Sequence, residues 1–314
     1  MLTRRHIRVK VMQSIYAFRQ SNNTDLAKEE KFISYSMESM YNLYLELMNL
    51  LVALQFKADE YLNVSSKKYL ATEEEKNPNR KFVDNKLLRL LTDNKLLHDA
   101  AKKRKLTEWD IEQDYIKIIF QKIKESEIYK NYMESNREGF KEDVKFIIDV
   151  YKEIVAVDDK LYDYIEDSRL TWVDDLPLVN TMILKMFRKV KENAAQDWLM
   201  PRLYKDADDK EFAIQLFRKT VLNDDKLLAE IEGRTPNWDM ERITEIDAIL
   251  LKMAISEFKF FPSIPVKVTM NEYLEIAKEY STPKSSIFIN GILDKLVKEY
   301  KIENSLNKTG RGLM

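Results

Sequence analysis

Only five glycines and seven prolines punctuate the 314 residues, against the roughly 12 % that the pair makes up in an average sequence. So few turn formers cannot close the many tight turns of a β-sandwich or barrel. Long, seldom interrupted helices are expected, and the predicted fold class is all-α. With 45 % of residues hydrophobic and 33 % charged, each helix can carry one buried stripe and one solvated face. The length suits about two domains.

The same scarcity removes enzyme classes. Gly139, Gly233, Gly291, Gly310 and Gly312 cannot write a dinucleotide-binding loop or a P-loop. The absence of cysteine removes disulfides, thiolate nucleophiles, zinc–thiolate sites and cysteine-held iron–sulfur clusters. Two histidines, His6 and His98, are too few for an all-histidine metal site. The expectation is a protein that is not an enzyme, with no catalytic residue, cofactor or metal. The longest apolar run, Leu50 to Leu54, falls far short of the ~18 residues of a membrane span. The N-terminus lacks the apolar core of a signal peptide. A cytoplasmic protein with no membrane partner is expected.

Net charge is −1, but the two ends are basic. Residues 1–20 hold Arg4, Arg5, Arg8, Lys10 and Arg19 and no acid. Residues 284–314 hold six lysines and arginines, including Lys284, Lys308 and Arg311, against Asp294, Glu299 and Glu303. A near-neutral chain with basic ends suits a localised anionic partner.

Ile7, Val11, Ile15 and Phe18 make one apolar helical face, with Arg4 and Arg5 in its first turn or just before it. A long helix is predicted over about 28–63. Its Met40, Leu43, Leu47, Leu50 and Leu54 step at heptad-like spacing, as bundle core or as a partner seam. Residues 65–81 read as a linker. A helix over 83–101 ends in Lys102-Lys103-Arg104-Lys105, either a nucleic-acid contact or cations complementing the helix C-terminus. Thr107 and Asp110 read as a capping box for a helix over 108–134.

Residues 143–184 laid over 209–250 give thirteen identities without a gap, as an internal repeat would. They include Asp143/Asp209, Asp158/Asp224, Asp159/Asp225, Lys160/Lys226, Leu161/Leu227, Ile165/Ile231 and Trp172/Trp238. The paired aspartates read as exposed helix charges rather than an acid/base dyad, since no histidine accompanies them.

Further on, a helix from about 239 stops before Pro262-Ser263-Ile264-Pro265, because proline disfavours helix in the residue before it. The next runs to about Tyr280. Ser281-Thr282-Pro283 then supplies a hydroxyl cap and a proline in the first turn of a last helix over 283–303. The tail from Asn304 reads as disordered.

Residues 4–18, Arg-Arg-His-Ile-Arg-Val-Lys-Val-Met-Gln-Ser-Ile-Tyr-Ala-Phe, resemble the first helix of the NusB antitermination family. Ile246-Asp247-Ala248-Ile249-Leu250, Glu257, Ile264-Pro265-Val266-Lys267-Val268, Asn271-Glu272 and Ala277-Lys278 resemble its core, completed by Lys284-Ser285 and Phe288 to Asp294. The match covers 1–20 and roughly 205–301. Residues 25–200 depart from it, since ordinary members are less than half this long. The resemblance implies a NusB-like helical bundle with an additional region over 21–200, a NusB-like part over 201–303 completed by 1–20, and a disordered 304–314. It also implies transcription antitermination: binding of boxA-type single-stranded RNA of the nascent ribosomal-RNA leader together with the ribosomal protein NusE, within the transcription elongation complex.

The side chains suit that role. Arg4, Arg5 and Arg8 offer guanidinium forks for phosphates or base planes. Lys284 and Ser285 start the last helix, where amide groups and dipole favour an anion. Tyr16, Tyr280 and Phe288 supply rings on which unstacked bases can lie. The resemblance makes Asp247 and Glu257 the candidate NusE contacts. Each has a plainer reading: a solvated arm, a simple helix cap, core aromatics. Ser281 and Lys284 stand where the family often has glycine and an acidic or small residue, and the lysine should strengthen phosphate contact. Two other functions remain. A helical scaffold binding only proteins would show no salt-dependent RNA affinity. An rRNA cytosine methyltransferase, to which NusB-like domains are fused, would need the missing cysteine and glycine-rich loop.

Overall fold

Helix after helix begins where a short polar side chain can hold the first amide groups. Asn85, Asn94, Ser126, Asp158 and Thr244 each accept an amide hydrogen from two or three residues on, as N-caps do. The computed structural model describes residues 1–21, 24–232 and 243–313. Among the described residues there are sixteen α-helices and no strand. In chain order they are α1 (Arg4–Gln20), α2 (Leu26–Ser66), α3 (Glu73–Lys76), α4 (Lys86–Thr92), α5 (Lys95–Arg104), α6 (Glu108–Ile111), α7 (Gln113–Glu125) and α8 (Glu127–Glu134). Then come α9 (Phe140–Val150), α10 (Asp159–Ser168), α11 (Leu176–Phe187), α12 (Asp209–Leu222), α13 (Asp224–Glu232), α14 (Glu245–Phe260), α15 (Val266–Tyr280) and α16 (Ser285–Ile302). No helix of the described residues is long and apolar enough to cross a membrane.

The chain divides into two compact units: Glu38–Leu203 with Met1, and Leu2–Met37 with Tyr204–Met314. Helix α2 runs through the boundary. In the first unit its stripe of Met40, Leu43, Leu47, Leu50 and Leu54 is fully buried, so the heptad spacing builds core. Two indoles grip the same helix, Trp172 donating to the Ser39 carbonyl (2.8 Å) and Trp109 to that of Glu46 (2.7 Å). The helices expected over 83–101 and 108–134 are each broken, at Asn94 and at Glu112 and Ser126. Thr107 makes no side-chain cap; its amide hydrogen goes to the Glu108 carboxylate (2.9 Å). The basic run ends α5, where Arg104 donates to Asn42 (2.8 Å) and Glu38 (3.1 Å) and lies over the Tyr41 ring.

Helix α14 is the centre of the second unit. Every residue from Ile249 to Phe258 is buried, the pattern of a helix covered on all sides. Helices α1, α12, α13, α15 and α16 pack on it. Arg8 meets Glu257 while Arg19 meets Glu245, so α1 runs antiparallel to it.

The tail is not the loose segment expected from its composition. Lys308 donates to the carbonyls of Glu257 and Phe261, both at 3.0 Å, closing the C-terminal end of α14. The Thr309 amide donates to Pro262 (3.1 Å), and Gly310–Leu313 form a 3-10 turn. Gly312 is buried against the Pro262 carbonyl, where any Cβ would overlap the oxygen.

The two segments matched by sequence have corresponding helices. Residues 140–155 are helical, as α9 continued by a π-helical turn, and so are 209–222. Helix α10 answers to α13. Trp172 is buried; its counterpart Trp238 lies outside the described residues.

Candidate nucleic-acid interface

Thr3 and His6 cap the start of α1, the Thr3 amide donating to His6 Nδ1 (3.3 Å). Burial, then the charges of Arg5 and Lys10, push the His6 imidazole down to about 4, so it is neutral at pH 7. The cap fixes Arg4 and Arg5 in the first turn. Arg4 Nε donates to Asp209 (3.0 Å) and its guanidinium lies 4.4 Å from the Phe212 ring centre. Arg5 makes a two-pronged pair with Glu272 of α15 (3.0 and 2.9 Å). Both arginines keep over a third of their side-chain surface in solvent.

Arg8 differs. Four residues after Arg4 it lies one turn deeper on the same face, where α14 and α15 enclose it. It is 1 % exposed and forks onto Glu257, itself fully buried (2.6 and 2.9 Å). Thr269 (3.0 Å) and Tyr273 (2.8 Å) also donate to that carboxylate. Burial opposes the Arg8 charge, but Glu257 outweighs it and holds the guanidinium charged. Arg8 is therefore no mobile RNA arm and Glu257 offers no surface to NusE. They are the two halves of an internal ion pair.

A concave surface of about 740 Å³ opens beside these residues. Arg4, Arg5, Lys205 and Arg311 line it with Ile264 and Val268. Lys205 and Arg311 carry no sequence pattern that singles them out. Only their positive charge, shared with many residues, could have pointed to them.

The second predicted cluster lies about 15 Å along α14, the ten residues from Glu257 back to Asp247 at 1.5 Å each. Asp247 is buried and accepts from the hydroxyls of Ser281 (2.7 Å) and Ser285 (2.8 Å). The carboxylate expected to face NusE and the serine expected to face RNA thus satisfy each other. The Ser285 amide donates to Thr282 (2.9 Å). An internal anion already sits at the start of α16, which explains why the hydroxyls there turn inward. Lys284 is exposed; Tyr280 and Phe288 are half-buried. Tyr16 is 41 % exposed, on the half of α1 whose Gln20 reaches Glu245 (2.5 Å). The structure thus gathers Arg4 and Arg5 at one end of α1 and leaves Tyr16 towards the other.

Comparison with known proteins gives a consistent picture. The model of the NusB family matches residues 178–298. A curated transcription antitermination protein NusB of Salinibacter ruber is 42 % identical over 112 residues, covering 36 % of this chain and 70 % of that protein. One from Chloroherpeton thalassium is 37 % identical over 128 residues, 40 % of this chain and 61 % of that protein. One from Clostridium kluyveri is 39 % identical over 95 residues, 30 % of this chain and 61 % of that protein. No solved structure matches.

Proposed function

The chain belongs to the NusB family, and from that premise we propose that it is a transcription antitermination factor that binds boxA-type single-stranded RNA with the ribosomal protein NusE. The carrying observation is the 42 % identity to a curated NusB protein over 70 % of that protein's length. Arg4 and Arg5 support it from the first turn of α1, with over a third of their side-chain surface in solvent at the rim of a groove. A phosphate there exchanges with Asp209 or Glu272 for a guanidinium fork, a geometry suited to oxyanions. Tyr16, Tyr280, Lys284 and Phe288 extend the proposed path towards the start of α16. The site is polar and electrostatic, so its affinity falls with salt. One observation favours a protein-only scaffold: Arg4, Arg5 and Arg8 each already have a carboxylate partner.

The test is a titration of labelled single-stranded RNA carrying a boxA-like element, with a scrambled control, across salt concentrations and with and without NusE. The reading expects NusE to raise affinity for boxA over scramble, and log K to fall by ~0.7 per log salt for each phosphate contacted. Equal, salt-indifferent binding of both RNAs, or none, would leave the scaffold.

A further inference from the structure

We propose that Arg311, presented by the folded C-terminal tail, is a phosphate contact of the arginine groove; this rests on the RNA-binding reading above. Residues 304–313 lie beyond the segment matched by the family model, which ends at 298, and they are built into the fold. Lys308 ties the tail to two carbonyls at the end of α14, the Thr309 amide ties it to Pro262, and Gly312 fits where no side chain would. These three attachments flank Arg311 and place it on the groove wall that Arg4, Arg5 and Lys205 share.

Its electrostatic situation is unlike that of the two arginines, and like that of Lys205, which is also exposed. Arg4 is held by Asp209 and Arg5 by Glu272, so a phosphate reaching either must displace a carboxylate. Among the described residues Arg311 takes no carboxylate partner, and its side chain is exposed. A phosphodiester meeting Arg311 gains a charge-assisted hydrogen bond without breaking one. The tail thus adds to the groove a cation that needs no exchange. Its anchoring reduces the ordering entropy that a loose arm would lose on binding.

The experiment compares the full-length protein with Arg311→Gln, Arg311→Lys and Lys308→Met, titrating the labelled boxA-like RNA over a range of salt. Arg311→Gln is expected to weaken binding about three- to tenfold at low salt and to lower the salt slope by ~0.7, one phosphate contact. Arg311→Lys should keep the slope. Lys308→Met, which frees the tail, should match Arg311→Gln, and the double variant should add nothing further. Circular dichroism melting checks that Arg311→Gln, a surface change, stays folded. If wild type binds and Arg311→Gln keeps its affinity and slope, Arg311 is no contact while RNA binding stands. If wild type binds no RNA, the functional reading falls and this inference with it.

Discussion

Residues 143–184 and 209–250 carry the same aspartates at the same offset, yet the two segments place their charges in opposite ways. In the first, Asp158 is buried while its partner Lys122 is half in solvent. In the second, Lys252 is buried while its partner Asp224 is a third exposed. Asp158 keeps the Tyr115 hydroxyl (2.9 Å) and the Leu161 amide (3.0 Å) as well as the lysine. Lys252 reaches both oxygens of Asp224, at 2.7 and 2.8 Å. A second shared position differs too. Asp143 accepts from the Lys86 amide (2.9 Å) and the Tyr132 hydroxyl (2.6 Å). Asp209 accepts from the amides of Lys205 and Asp206 and from Arg4. The matched sequence sets where the carboxylates stand; the surrounding helices decide whether the partner is a cation. In the second segment Asp209 meets Arg4 of α1, beside the candidate interface.

The largest predicted effect tests the pair that has no equivalent in the first unit. Glu257→Gln leaves the buried Arg8 with only the longer contact to Glu272 (3.7 Å) as counter-charge and should cost ~3 kcal/mol in urea unfolding. Arg8→Met combined with Glu257→Met should recover much of that loss, because an apolar pair strands no charge. If Glu257→Gln costs under ~1 kcal/mol, the pair is not closed to water.

The next prediction sets the ion pairs of the two matched aspartates, Asp158 and Asp224, against each other by removing the exposed member of each. Asp224→Ala strands the buried Lys252 and should cost ~2–3 kcal/mol. Lys122→Ala leaves Asp158 with two donors and should cost below ~1 kcal/mol. Equal losses would mean that the inverted burial has no energetic consequence.

The smallest effects are slopes of stability against pH, and they run oppositely in the two units. In the second, His6 is held to about 4, chiefly by burial, while an unfolded histidine titrates near ~6.5. Between those values the unfolded chain binds the extra proton, so stability rises with pH and is lost on acidification. In the first, burial and then the Glu108 carboxyl push Glu46 up to about 10 from 4.5. The folded state keeps that proton after the unfolded state has released it, so stability falls as pH rises through this window. Urea midpoints from pH 4 to 9 should show His6→Gln flattening the acid side and Glu46→Gln the alkaline side. An unchanged alkaline slope in Glu46→Gln would mean that Glu46 is ionised in the fold.

Much of the second unit is legible residue by residue. Pro265 and Ser281 bracket α15 at Val266–Tyr280, and the scarcity of glycine and proline already implies helices. Arg4 and Arg5 are legible as cations in the first turn of α1, because charge and place in the helix are local facts; the groove they line is not. Arg8 was not distinguishable from them by residue type, spacing or neighbours. What separates it is Glu257, 249 residues away.

The sequence by itself determined the all-α class and the basic start of α1, because proline geometry and apolar periodicity act within one or two turns; it did not determine the caps, since neither Thr107 nor Ser281 caps the helix expected of it. Tertiary structure alone decided which charges are spent inside. Burying an ion requires a partner delivered by another part of the chain, as α14 delivers Glu257 to Arg8 and Asp247 to Ser285. It also decided that the tail folds, since Lys308 finds the carbonyls at the end of α14, and so that Arg311 stands on the groove.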